Sequence, residues 1–160
     1  MPAPGTLTSH TESINHVSCF GLCDGEARVS ASGGTSPYTY NWSNGEHSTE
    51  IRGLCAGRYT LTVIDADNCV SHQLVNITEP TELITTISET NPILCHGGLS
   101  TINSLTYGGT QPYTFAWSTG ESTNTQINVP AGTYSIYIRD SHGCTAFAQI
   151  TITQPDSLIL

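Results

Sequence analysis

The chain of 160 residues sets 13 Asp and Glu against four basic residues and no Lys, for a formal net charge of −9 with 37% hydrophobic residues. Arg28, Arg52, Arg58 and Arg139 are scattered, which excludes the basic patch that a nucleic acid or an anionic membrane surface requires; no apolar run is long enough for membrane insertion. Six Cys in an acidic chain rich in Gly, Ser and Thr point to an oxidising compartment. Met1-Pro2-Ala3-Pro4-Gly5-Thr6 has neither the basic start nor the apolar run of a signal peptide, the pattern of a fragment or a processed form.

In chain order, Pro4-Gly5-Thr6-Leu7 reads as a loose lead-in and a first strand is expected from Ile14 to Ser18. Cys19-Phe20-Gly21-Leu22-Cys23-Asp24-Gly25 follows, with Asp-Gly as a turn, and then Ala27, Val29 and Ala31 alternate with Arg28, Ser30 and Ser32 as a half-buried strand. Gly33-Gly34-Thr35-Ser36-Pro37 opens a turn before Tyr38, Tyr40 and Trp42, which fall on one face of a strand while Thr39, Asn41 and Ser43 fall on the other. Asn44-Gly45 closes that strand, because both residues tolerate positive φ. A short strand from Ser48 to Ile51 ends at Gly53. Tyr59, Leu61 and Val63 then point inward in strict period two, Asp65-Ala66-Asp67-Asn68 turns the chain, and Cys69 to Thr78 forms the last strand. No segment carries a helical period.

The chain then says all of this again. Gly108-Gly109-Thr110-Gln111-Pro112-Tyr113-Thr114-Phe115-Ala116-Trp117 is a second copy of the aromatic stretch, with Trp42 and Trp117 set 117 − 42 = 75 residues apart. Cys95 answers Cys19, Tyr134 answers Tyr59 and Cys144 answers Cys69. The lead-in recurs as Pro80-Thr81-Glu82-Leu83 and as Pro155-Asp156-Ser157-Leu158. A repeat of this length is domain-sized. The chain is therefore expected to hold two domains, 1–79 and 80–154, with 155–160 the start of a further repeat or a strand for exchange. Roughly seven short strands per unit predict an all-β fold of two tandem immunoglobulin-like β-sandwich domains, stapled by disulfides because cores of this size are marginal. Equal spacing in two copies makes the aromatic rows architecture, with Trp42, Tyr59, Trp117 and Tyr134 in the cores, in preference to ligand-stacking platforms.

Six Cys allow 15 pairings, and the internal repeat chooses among them. The second unit keeps the equivalents of Cys19 and Cys69 but lacks those of Cys23 and Cys55, Pro130 standing at the latter position. Residues lost together are expected to be bonded together. The expected bridges are Cys19–Cys69, Cys95–Cys144 and Cys23–Cys55; the rival is a four-thiolate zinc site of Cys19, Cys23, Cys55 and Cys69, of which the second unit would hold only two ligands.

Little else carries chemistry. His10, His16, His47, His72, His96 and His142 are spread through turns and strands with no metal-ligand spacing. Asp65, Asp67 and Asn68 could gather around Ca²⁺, but the matching Asp140-Ser141-His142-Gly143 keeps one carboxylate, which favours an ordinary hairpin turn. No nucleophile elbow, phosphate loop or carboxylate pair appears, so no enzyme activity and no cofactor are expected. Asn41-Trp42-Ser43 and Asn76-Ile77-Thr78 fit the N-glycosylation pattern, and Ser157 lies in an Asp-Ser-apolar stretch similar to a bacterial O-glycosylation signal.

Taken together, Cys19-Phe20-Gly21-Leu22-Cys23-Asp24-Gly25, the stretch from Gly33 to Ser43, Leu54-Cys55-Ala56-Gly57-Arg58-Tyr59-Thr60 and Val63-Ile64-Asp65-Ala66-Asp67-Asn68-Cys69 closely resemble the SprB-type repeat, found in arrays in gliding-motility adhesins and other large surface proteins of Bacteroidota. The second unit departs at Gly97-Gly98-Leu99 and at Val129-Pro130. The resemblance implies a secreted, cell-surface, non-catalytic stalk or adhesive module whose partners are neighbouring repeats of the same protein. It brings no binding residues with it. An alternative expectation is the protomer of an extracellular filament, identical subunits joined when the segment from Pro155 adds to a sheet edge of the next. A third is a module binding surface glycans through Tyr107, Tyr137 or an exposed Trp.

Overall fold

The computed structural model describes residues 5–157. Every helix or strand among them is a strand, and the chain divides into two compact units, Met1–Pro80 and Thr81–Leu160. The first contains β1 (Thr8–Asn15), β2 (Gly25–Ser32), β3 (Thr39–Trp42), β4 (Glu50–Leu54), β5 (Gly57–Ile64) and β6 (Val70–Ile77); the second repeats them as β7 (Ile84–Asn91), β8 (Ser100–Tyr107), β9 (Thr114–Trp117), β10 (Thr125–Val129), β11 (Gly132–Arg139) and β12 (Thr145–Ile152).

In the first unit one sheet has the order β1-β2-β4 and the other β3-β5-β6; the second unit has β7-β8-β10 and β9-β11-β12, all pairings antiparallel. That is the immunoglobulin-like arrangement of strands A, B and E against C, F and G. The expected seventh strand, D, is missing. After Trp42 the chain turns back at once, with the Gly45 N–H donating to the Trp42 carbonyl and the Trp42 N–H to the Glu46 carbonyl. The short link from there to Glu50 leaves no room for an added strand.

The two faces meet over the residues that period two selected. Ala27, Val29, Ile51 and Leu54 from one sheet pack with Trp42, Leu61, Val63, Val75 and Ile77 from the other. In the second unit Ile102 and Val129 meet Trp117, Tyr134, Ile136, Ile138 and Ile152. Each Trp is 4% exposed. The Trp42 indole N–H donates to the Ser48 carbonyl at 2.9 Å and that of Trp117 to the Thr123 carbonyl at 2.7 Å, which satisfies the one polar atom each ring takes out of water. At the β4–β5 corner the half-buried Tyr59 donates to the Cys55 carbonyl, and the buried Tyr134 donates to the Pro130 carbonyl at the β10–β11 corner. This hydrogen bond from the start of strand F to the corner before it is the tyrosine corner of immunoglobulin-like sandwiches.

Two details differ from the sequence expectation. The first strand is Thr8–Asn15 where Ile14 to Ser18 was expected, and it pairs with β2 from Thr8↔Ser32 to Asn15↔Glu26 through a bulge at Thr11/Ser13. The fourth strand is Glu50–Leu54 and carries the chain past Gly53, whose φ of +70 only glycine adopts freely.

Candidate functional site at the poles of the repeats

Each unit has two ends, defined by where its chain comes in and goes out. At the leading pole of the first unit the incoming Gly5–Leu7 lies against Gly33-Gly34, since the Gly34 N–H donates to the Gly5 carbonyl. Gly33 and Gly34 have φ of +72 and +61, and a Cβ on Gly33 would collide with the Thr6 carbonyl while one on Gly34 would strike the Asp65 carboxylate. Asp65 is the hub of this pole. It is buried, and its carboxylate accepts the backbone N–H groups of Thr35 at 3.0 Å, Asp67 at 3.0 Å and Cys69 at 2.8 Å. Those bonds, led by Thr35, hold its carboxyl below the ordinary value despite desolvation. Asp140 repeats the device in the second unit, with the N–H groups of Thr110, His142 and Cys144 at 2.8, 2.9 and 2.9 Å. There burial pushes the carboxyl up and the three amides outweigh it.

The sequence favours an ordinary hairpin turn here over a Ca²⁺ cluster of Asp65, Asp67 and Asn68, and the turn forms, closed by the Asn68 N–H donating to the Asp65 carbonyl; the role of the Asp65 carboxylate as acceptor of three backbone amides goes beyond that reading. Its recurrence as Asp140, each time with a Gly-Gly pair in the same unit, was the available signal.

The trailing pole of the first unit gathers Val17 to Cys23, Cys55 and the outgoing Thr78–Pro80. The Val17 N–H donates to the Thr78 carbonyl and the Gly21 N–H to Glu79 Oε2. Asp24 accepts the hydroxyl and the backbone N–H of Ser18, which hold its carboxyl below the ordinary value. The second unit matches this with the Gly97 N–H donating to Gln154 Oε1 at 2.9 Å.

The cysteines divide between these poles. Cys23–Cys55 forms as expected, closing a sequence separation of 32 at the trailing pole. The other two expected bridges do not form: Cys69 and Cys95 are free, exposed thiols. The reason is the length of a strand. Cys69 immediately precedes the eight residues of β6, whose far end lies beside Val17 and Cys19, so about 25 Å of extended chain separates two Cα atoms that a disulfide holds within about 7 Å. Likewise Cys144 immediately precedes the eight residues of β12, and Cys95 lies beyond its far end near Gln154. Cys19 and Cys144 are themselves disulfide-bonded. The four-thiolate zinc arrangement fails on the same separation, and on the Cys23–Cys55 bond.

The remaining expected residues sit apart. Asn76 and Ser157 are exposed, and Asn41, half-buried, lies on the outer face of β3, opposite in sense to the enclosed Trp42. Tyr107 is 49% and Tyr137 60% exposed; Tyr137 and Phe147 pack with their rings tilted 49° at a centroid distance of 4.8 Å on the outer face of β11 and β12, while both Trp rings are enclosed. An open groove of about 740 Å³ runs beside β10, lined by Thr119, Gln126, Ile127, Val129 and Tyr134 among others. Its ionisable lining residues are Glu121 and Tyr134, whose hydroxyl donates to the Pro130 carbonyl.

Against this geometry, the family model described as SprB repeat matches residues 11–47. Over these residues the first unit is similar to the SprB repeat. The matched stretch runs from β1 through β2, the Gly33-Gly34 cradle and β3 with Trp42, and so spans both sheets and both poles of the first unit. No curated protein matches. Among solved structures, the N-terminal four immunoglobulin domains of Dscam1 isoform 7.44 are 14% identical with a TM-score of 0.46, covering 97% of this chain and 47% of that one. The fibronectin(III)-like modules of Clostridium thermocellum CbhA are 12% identical with a TM-score of 0.33, covering 91% and 94%. The chain spans less than half of the Dscam1 structures it matches. SprB repeat, sandwich and disulfide together make this a structural repeat module.

Proposed function

We propose that the chain is a non-catalytic stalk or spacer segment of an adhesin on a bacterial cell surface, exported to an oxidising compartment. The observation that carries this reading is the construction of each unit: the chain comes in at one pole and leaves at the other, and both poles are pinned by backbone hydrogen bonds to carboxylate or amide side chains. A unit so built keeps its ends closed without help from a ligand. The disulfide supports the compartment. No helix among the described residues is long and apolar enough to cross a membrane. The test is labelling of intact and permeabilised cells of the source bacterium with antibody raised against this chain, with protease shaving in parallel. Labelling of intact cells and release by shaving are expected; signal confined to permeabilised cells would refute the reading.

A second reading, the filament protomer, has its own support in β10. Among the described residues this strand pairs on one side only, with β8, and presents Ile127 at 69% exposure beside the 740 Å³ groove. An extended segment such as the one from Pro155 adds to an edge of that kind. Polymers of the purified chain in electron micrographs that disappear on Ile127→Lys would favour it over the stalk.

A further inference from the structure

Besides the Cys23–Cys55 bond of the first unit, every repeat places one further cysteine at each pole. Cys19 and Cys95 hold the same position at the trailing poles of the two units, and Cys69 and Cys144 the same position at the leading poles. Of each equivalent pair, one member is disulfide-bonded, namely Cys19 and Cys144, and the other is a free, exposed thiol. Each kind of pole position is thus seen once occupied and once open. The open thiols do not sit on ordinary polar surface. Cys95 stands beside Leu94, 82% exposed, with Leu99 at 53% in the same loop, and Cys69 is followed by Val70 at 51%. Apolar side chains held in water around a thiol are what a docking face needs and what a solitary surface cysteine does not.

The two poles also differ in charge. Cys69 shares its loop with Asp65 and Asp67, whose carboxylates raise its thiol above the ordinary value. Two leading poles brought together would oppose four carboxylates, whereas Cys95 has Leu94 and His96 as its neighbours in the chain. Like-with-like pairing at the leading pole is therefore disfavoured and leading-to-trailing pairing is not.

We propose that Cys95 and Cys69 are complementary coupling sites, and that the trailing-pole Cys95 of one chain forms a disulfide with the leading-pole Cys69 of a second copy. The inference rests on the reading of the chain as a repeat module of an oxidising compartment. The oxidant is a disulfide, whether of a small thiol or of an oxidoreductase. One protein thiolate attacks it, forming a mixed disulfide and expelling one thiol; the second protein thiolate attacks the protein sulfur of that mixed disulfide and expels the other. Two protein thiols and one oxidant disulfide become one protein disulfide and two reduced thiols, with two electrons passing to the oxidant and the two thiol protons to the leaving thiolates. The bond makes a head-to-tail, heterologous contact, which propagates instead of closing on a dimer.

The test uses the full chain with oxidised glutathione, read on non-reducing gels and by mass spectrometry of linked peptides. The unaltered chain is expected to give a ladder of oligomers. Cys69→Ser alone and Cys95→Ser alone are expected to remain monomeric, and their mixture to give a dimer and nothing larger, with Cys95 linked to Cys69. The proposal is overturned if the unaltered chain stays monomeric under oxidant, if either variant alone dimerises as readily as the mixture, or if the linked peptides are other than these two. Because this experiment needs no cell, it separates from the labelling test. A surface-exposed chain without a ladder defeats the coupling alone, and a ladder from a chain hidden inside the cell defeats the surface reading alone.

Discussion

The Cys23–Cys55 bond distinguishes one repeat from the other, and its contribution can be worked from the structure. Both cysteines are exposed, so replacing them with Ala in the double variant removes the cross-link and little packing. With a separation of 32 residues, the chain-entropy account gives about 3.7 kcal/mol at 25 °C. That is a large share of the stability of so small a domain. Hydrogen exchange followed by mass spectrometry assigns the loss to a unit, because peptides from β5 and β6 report the first sandwich and peptides from β11 and β12 the second. Where exchange follows the opening equilibrium, core amides of the first unit should exchange roughly 500-fold faster in the double variant, since each 1.36 kcal/mol is a factor of ten. Those of the second unit should not change. An acceleration in the first unit below about tenfold would refute the cross-link as its main staple. Equal acceleration in both units would refute their description as separately cored sandwiches.

Three further outcomes follow from the leading pole. Gly34→Ala should destabilise the first unit by roughly 1–3 kcal/mol in denaturant titration, because it combines φ +61 with a Cβ aimed at the Asp65 carboxylate, whereas Gly45→Ala, with φ +88 and open space around it, should cost only the smaller backbone term. The folded-state pKa values of Asp65 and Asp140 lie below the ordinary 3.8, so the unfolded chain binds their protons first: the stability they supply is present above that value and is lost as pH falls through the window beneath it. Urea midpoints measured down that range should fall less steeply in Asp65→Asn than in the unaltered chain, and an unchanged slope would remove the carboxylate from the account. Asp67→Asn should speed alkylation of Cys69 by iodoacetamide at neutral pH, by withdrawing one of the carboxylates that suppress its thiolate, and leave the rate at Cys95 as it was.

How far the sequence discloses this fold depends on which residues carry the signal. In β2 and β5, where Ala27 and Val29 or Leu61 and Val63 alternate with polar residues, the period alone defines strand and face. In β1 it does not. Thr8 to Asn15 is mostly polar on both faces, and its strand state comes from hydrogen bonding to β2 across a bulge, a long-range cause that leaves no local pattern. The cysteines show a different limit. Joint loss of two residues in the second repeat correctly joined Cys23 to Cys55, because those two lie at one pole. The same logic applied to Cys19 and Cys69 failed, because co-retention says that two positions matter without saying that they meet. Following the direction of β6 from Cys69 would have put the pair a strand apart. Pro130 at the place of Cys55 is the compensating change: proline presets φ at the corner where the first repeat uses a cross-link, and Tyr134 caps the Pro130 carbonyl as Tyr59 caps that of Cys55.

What the two repeats share and what they do not share bears on function. The shared residues build the sandwich: the enclosed Trp with its indole hydrogen bond, the Tyr at the corner, the paired glycines and the Asp beneath them. The outer faces diverge. Where the second unit packs Tyr137 against Phe147, the first sets Thr62 against His72 at 3.1 Å, a hydrogen bond in place of two rings. Exposed Ile127 and Tyr107 of the second unit stand where the first has Arg52 and Ser32. A module whose task was to hold one ligand on a sheet face would need the same face each time, and these faces differ in shape, polarity and charge. The pole cysteines are a further feature that both units present at the same positions, Cys19 with Cys95 and Cys69 with Cys144. What the two copies have in common is thus the sandwich and the places of its pole cysteines, which is what the proposed stalk or spacer asks of every repeat, whereas a ligand-binding face is not among the features they share.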